Sequence, residues 1–250
     1  MNEVIKQLHE RKSVRIFTEQ EISAEDKRAI IESALQAPTA GNQSMYTILN
    51  ITDPELLTKL SESCDHQPFI ASAKFALVFC ADYQKWYDAF CLVKEDVRKP
   101  RVGDLMLAVN DALIAAQNAV VAAHSLGIGS CYIGDIMENC EYHRETLNLP
   151  EYVFPAAFLV FGYPNEQQQN RAKPQRFTVE QMVCENTYHR KNAEELRDMF
   201  TERGNRQENG KYDYDVRMNA FCERKYSSDF SVEMSRSVAK YIETFLKNSD

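Results

Sequence analysis

The chain has 250 residues, of which 44% are hydrophobic and 26% charged, the balance of a soluble globular protein long enough to bury one large core. Its formal net charge of −8 repels a polyphosphate backbone and argues against nucleic acid as a partner, although a few clustered cations still suit a small anionic ligand. The opening Met1-Asn2-Glu3-Val4-Ile5-Lys6 has no apolar signal-peptide core. Cys64, Cys80, Cys91, Cys131, Cys140, Cys184 and Cys222 are scattered, with no C-x-x-C pair, and the five histidines show no H-x-x-x-H pattern. Reduced thiols, a cytoplasmic location and no metal are therefore expected.

In chain order, Val4, Ile5 and Leu8 predict a short amphipathic helix ending near Arg11. A second helix follows Ser23, a good N-cap, with Ile30, Ile31, Ala34 and Leu35 at helical spacing and Pro38 as its stop. Residues 45–51 read as a strand, 75–81 as a fully buried strand, and 82–95 as helical. The strongest helical signal spans 105–126 and is apolar almost all round, as in a buried or interface helix. Asn110, Asp111, Gln117, Asn118 and His124 interrupt it, which argues against a membrane span. Gly127 and Gly129 end it before a short apolar run at 131–133, and 156–161 reads as another buried strand. Helical patterns return at 193–200 and 232–246, with the charged stretch 203–215 expected as an exposed loop or arm. Strands and helices mix without regular β-α-β alternation, so the fold class is α+β.

Four segments could carry chemistry. In Arg11-Lys12-Ser13-Val14-Arg15, extended backbone would put Arg11, Ser13 and Arg15 on one side, two guanidinium groups flanking a hydroxyl. That arrangement suits a phosphate monoester, and a solvated basic turn has the same residues. The loop 38–44 offers Thr39, Asn42, Gln43 and Ser44 among small residues that allow close backbone approach. Residues 126–135 spend three of the eight glycines of the chain without spelling G-x-G-x-x-G, which disfavours a Rossmann phosphate turn. Arg171, Lys173 and Arg176 make a cationic loop in an acidic protein.

Taken in order, these segments resemble the nitroreductase family. Ser-Val-Arg-Ile-Phe-Thr stands at 13–18, Ala-Pro-Thr-Ala-Gly-Asn at 37–42 and Gln-Pro-Phe-Ile-Ala at 67–71. Ala-Gln-Asn-Ala follows at 116–119, Leu-Gly-Ile-Gly at 126–129, Tyr-Ile-Gly at 132–134 and Glu-Asn-Thr-Tyr at 185–188. The resemblance covers nearly the whole chain, and is strongest to NADPH-dependent nitroreductases and flavin reductases with an extended C-terminal region.

The resemblance implies a mixed, mainly antiparallel sheet flanked by helices in an intertwined homodimer. Residues 1–190 would form the FMN-binding core, and 191–250 a helical extension and arm of the same domain. Arg11, Lys12, Ser13 and Arg15 would hold FMN by its phosphate, with Arg15 the alternative partner of the N1/O2 edge of the ring. Thr39 and Asn42 would come from the partner subunit, and Gln67 would bond the ring or the ribityl chain. Tyr132, Ile133, Gly134 and Asp135 would line the isoalloxazine, although Asp135 stands where glycine is common. Lys173 and Arg176 would complete the phosphate site, with Gln175 as an alternative because the spacing is one residue longer than K-x-R. Arg203 and Arg206 would hold the 2′-phosphate of NADPH, NADH being the alternative donor. The implied activity is ping-pong hydride transfer from NAD(P)H to nitroaromatics, quinones or flavins, with no catalytic side chain because the flavin does the chemistry. A reductive dehalogenase, or a flavin-binding redox protein with little turnover, is the alternative. The apolar helix would form the subunit seam, at positions such as Ala115.

Overall fold

Alternation along the strands organises the molecule. The computed structural model describes residues 1–246, and its strands are β1 (Tyr46–Asn50), β2 (Phe75–Asp82), β3 (Gly129–Ile133) and β4 (Val153–Gly162). They form one sheet in the order β1-β2-β4-β3, antiparallel at every pairing. Successive strand side chains point to opposite faces. Phe75, Leu77, Phe79 and Ala81 of β2 accordingly pack with the helix Val102–Ser125, while Ala76, Val78 and Cys80 face Leu57, Leu60 and Ile70. Both faces of β2 and β4 are covered, which is why the two strands read as unbroken apolar runs. Their register slips between Phe79, opposite Ala157, and Cys80, opposite Pro155. Such a bulge accommodates a proline, which has no N–H, inside a central strand.

The helix Val102–Ser125 buries Ala108, Ala112, Ala115, Ala116, Ala119 and Ala123, small side chains that let its backbone lie close to the sheet. Its length and composition would let it cross a membrane, yet this alanine face is packed within the chain's own core. Ala115 therefore faces the core rather than a subunit seam. The apolar surface this helix leaves uncovered is Met106, Leu107, Leu113 and Ile114, each more than a third exposed.

Two compact units result: residues 1–171 together with the chain from Glu233 onward, and Ala172–Val232. The last helix, Asp229–Leu246, returns to the first unit, where Tyr241 packs edge-on against Phe154 and Phe245 against Tyr152. The second unit holds the helices Ala193–Glu208 and Tyr214–Lys225. The stretch 203–215 is thus not a loop: the first helix runs on to Glu208. An Asn192/Glu195 capping box starts it, and Asn209 and Gly210, both with positive φ, end it. It is polar on most sides, so periodicity alone hid its second half.

Candidate functional site

Arg11 ends the first helix, Glu3–Glu10, and the chain leaves in extended form. The Val14 N–H donates to the Ser130 carbonyl at 2.9 Å, and Ser13 bridges Ser130 in parallel. Val14 is buried, so Ser13 and Arg15 point the other way. Gly129 allows this approach, because a Cβ there would lie 2.6 Å from Val14 Cγ2. Lys12 Nζ donates to the Gln169 carbonyl at 2.7 Å and to the Arg171 carbonyl, while Arg171 Nη2 donates to the Ser13 carbonyl. Lys12 thus fastens the loop around the basic segment.

Two guanidinium donors in this cluster, Arg11 Nη1 and Arg171 Nε, are buried without a hydrogen-bond partner among the described residues. Among the described residues no carboxylate pairs with Arg11, Lys12, Arg15 or Arg171. The Arg15 and Arg11 charges pull the nearby Cys131 thiol down against burial, which pushes it up further. Burial also drives the Tyr132 phenol up to about 12, again opposed by Arg11. Buried guanidinium donors left unsatisfied in a cationic cluster are costly without an anion, and an oxyanion from outside the chain would satisfy them. Arg171, absent from the sequence-based site, belongs to this cluster; its position in the cationic loop was the available signal.

β3 leads through Tyr132 and Ile133 into a 3₁₀ turn, Gly134–Met137. Gly134 is exposed, and a Cβ built on it would meet nothing within 4 Å, which leaves open space over this backbone. Gln67 Nε2 donates to the Cys64 carbonyl at 2.8 Å and to Asp135 Oδ2 at 3.3 Å. Gln67 and Asp135 are thereby brought together. Asp65 and His66, just before Gln67, both have positive φ, a conformation that costs about 1 kcal/mol or more in each non-glycine residue and marks a constrained loop.

Thr39 and Asn42 lie elsewhere in the chain. Their loop leads into β1, at the opposite edge of the sheet from β3. Asp111 on the core helix holds the loop: Oδ1 accepts from the Ala40 N–H at 3.0 Å, while Oδ2 accepts from the Met45 N–H at 3.1 Å and from the Thr39 hydroxyl. Thr39 Oγ1 in turn accepts from the Ser44 N–H at 2.7 Å. Asn42 is exposed, with φ +57°. Sequence reasoning took Asp111 for an interruption of an apolar helix; a buried carboxylate in such a helix signals a set of donors gathered around it. Replacing Asp111 by alanine strands two N–H groups and a hydroxyl, and is expected to cost about 2–4 kcal/mol. Chemical denaturation should show the loss, and Asp111→Asn should recover part of it.

The second unit contains the remaining candidates, Lys173, Arg176, Arg203 and Arg206. It has a cavity of about 790 Å³ lined by Arg176, Phe200, Arg203, Tyr212, Arg217 and Phe221, among others. The Arg203 guanidinium lies 4.0 Å from the Phe177 ring centroid and 5.3 Å from that of Phe200, and no carboxylate among the described residues pairs with it. Arg206 is engaged, donating to Glu202 at 2.5 Å and to the Arg176 carbonyl at 2.9 Å. Arg217 is paired with Glu208.

Known proteins resemble this chain along most of its length. A model described as the nitroreductase family matches residues 8–163. The FMN reductase (NAD(P)H) of Bacillus subtilis is 31% identical over 249 residues, covering 97% of this chain and 92% of the relative. The structure of B. megaterium NfrA2 matches with a TM-score of 0.81 at 29% identity, over 96% of this chain and 98% of the other. That of the NADPH:FMN oxidoreductase from Vibrio harveyi, complexed with NAD+, gives 0.75 at 26% identity, over 98% of both chains.

Proposed function

This chain belongs to the nitroreductase family, and we propose that it passes hydride from NADPH to nitroaromatics, quinones or free flavins in a ping-pong cycle. It is an NAD(P)H-dependent oxidoreductase with FMN as its cofactor. FMN supplies the two-electron chemistry, so no side chain has to act as nucleophile or base. The observation that carries the reading is the pair of unpartnered guanidinium donors, Arg11 Nη1 and Arg171 Nε, around Ser13. Arg11, Ser13 and Arg171 would hold the phosphate, with Lys12 fastening the loop behind them. Arg15 would join them or reach the N1/O2 edge, where a cation favours the reduced anionic ring. Gln67 and the backbone of Tyr132, Ile133, Gly134 and Asp135 would line the ring over the open space at Gly134.

The enzyme would be a homodimer, with Thr39 and Asn42 acting in the partner's site. Their placement at the sheet edge opposite β3 favours this, as does the uncovered apolar face of the core helix. The seven unpaired cysteines suit a reducing cytoplasm. Steady-state oxidation of NADPH with a quinone tests the activity; a protein that binds FMN yet fails to turn over contradicts it.

Arg203 would hold the 2′-phosphate of NADPH, since stacking on Phe177 and Phe200 orients its guanidinium plane while leaving its N–H groups without an anion. Arg206, already bonded to Glu202, would play the smaller part. Arg203→Ala is expected to raise the KM for NADPH about 10- to 100-fold, the equivalent of one charged contact, and to leave NADH kinetics unchanged. Equal losses with both coenzymes would make the arginine structural.

A further inference from the structure

Glu138 follows the 3₁₀ turn after β3, and its N–H donates to the Asp135 carbonyl at 3.0 Å. In a turn with three residues per revolution, side chains three positions apart leave on the same side, which pairs Asp135 with Glu138. The Glu138 side chain is buried, with the residue only 5% exposed, and its Oε1 has no hydrogen-bond partner among the described residues. Other acidic groups surround it. Asp135 approaches from its own turn, Asp65 from the loop before Gln67, and Glu233 from the last helix; the Cys64 thiol lies close by.

No cation among the described residues pairs with the Glu138 carboxyl; the buried His143 meets the Glu138 main-chain carbonyl through Nδ1 at 2.7 Å, and burial holds its imidazole below the usual histidine range. Arg236, the nearby candidate, is bonded to Glu233 and Glu141. Burial first, then the charges of Asp135, Asp65 and Glu233, push the Glu138 carboxyl up to about 7. An ionised Oε1 would sit unpaired in a buried site, whereas a protonated carboxyl carries no charge to compensate. Asp135, by contrast, is half-buried and accepts from Gln67.

We propose that Asp135 and Glu138 form a carboxyl pair that holds one proton and supplies it to the acceptor during its reduction, with Glu138 as the store and the more accessible Asp135 as the end that delivers it. The proposal rests on the reading above that FMN lies along Tyr132–Asp135. A quinone reduced to a quinol gains two electrons and two protons. NADPH provides the electrons and one of the protons as hydride, and the second proton comes from the carboxyl pair. The carboxyl O–H bond breaks as the quinol O–H bond forms, leaving both groups ionised until water returns a proton. Asp135 is the group that meets the acceptor; Glu138 acts through it.

The test uses the purified holoenzyme, reduced with NADPH and mixed with 1,4-benzoquinone at pH values either side of neutrality. The parent's acceptor half-reaction is expected to slow as pH rises through about 7, where the store empties. Glu138→Gln, which keeps the size and loses the proton, is expected to be flat in pH and about 100-fold slower on the acidic side, with its FMN content and reduction by NADPH retained. Asp135→Asn should slow the half-reaction as Glu138→Gln does, because the delivering group is lost, and should move the Glu138 inflection in melting to lower pH, because it removes a negative neighbour.

Melting gives a readout independent of turnover. A carboxyl raised in the folded state holds a proton there that the unfolded chain has released, so its contribution to stability falls as pH rises from the ordinary carboxyl range through about 7. The parent should lose melting temperature across that window relative to Glu138→Gln. Equal pH dependence of melting in the two proteins, or a parent half-reaction with no inflection, overturns the proposal. A protein without flavin would sink the function proposed above and the delivery step with it, whereas the melting comparison judges the proton store separately.

Discussion

Replacing Arg11 and Arg15 together by alanine is expected to leave a folded but colourless protein. Arg11 Nη1 has no hydrogen-bond partner among the described residues, and Arg15 is exposed, its guanidinium 6.0 Å from the Phe69 ring centroid and near the Cys131 thiol, so their removal breaks no ion pair and should shift the melting temperature little. The effect falls on the ligand. A charge-assisted bond contributes about 1.5–3 kcal/mol, so losing two weakens FMN binding by roughly 10²- to 10⁴-fold. Equilibrium dialysis or quenching of flavin fluorescence measures this directly. Lys12→Ala should behave differently: it releases the carbonyls of Gln169 and Arg171 and should lower stability along with affinity. A double variant that keeps full FMN occupancy would refute the assigned phosphate site.

The second large effect is expected at the uncovered face of the core helix. Leu107 and Ile114 are seven residues apart and therefore share a side of the helix. Both are exposed, although the alanines on the opposite side are fully covered. Contiguous exposed apolar surface of this kind marks an interaction site, and obligate dimers bury more and more apolar area than transient ones. A glutamate forced into such an interface without a partner costs roughly 3 kcal/mol or more. Leu107→Glu with Ile114→Glu is therefore expected to weaken dimerisation by at least about 10⁴-fold and, because Thr39 and Asn42 would serve the partner's site, to release FMN as well. Sedimentation at graded concentrations should show colourless monomers. Monomers that retain FMN would contradict the shared site.

What could be read in advance depended on whether a signal was local. Ser23 and Pro38 bracket the helix Ala24–Leu35 almost to the residue, and the apolar runs of β2 and β4 are unmistakable because both their faces are buried. The helices Pro54–Ser63, Cys140–Thr146 and Tyr214–Lys225 were missed. They are short or polar and draw their stability from packing that no single window contains. The same limit governs the site. The spacing of Arg11, Ser13 and Arg15 suggested an anion, but the pairing of Ser13 with Ser130 joins positions far apart in the chain. Nothing local tells that Lys12 is occupied by two carbonyls, that Arg171 keeps a buried Nε without a partner among the described residues, or that Glu138 is buried among acids. Arg206, read from sequence as equal to Arg203, is held by Glu202 one helical turn away. That partner was visible in the sequence once the segment is known to be helical.

The central claim is that the cationic pocket around Ser13 holds the terminal phosphate of FMN. The most direct measurement is identification of the chromophore released from the purified protein by heat or acid. The expected result is a yellow protein that releases FMN in a one-to-one ratio with the chain, bleached by NADPH before release and restored by a quinone. Release of FAD, or a colourless protein that does not take up added FMN, would contradict it.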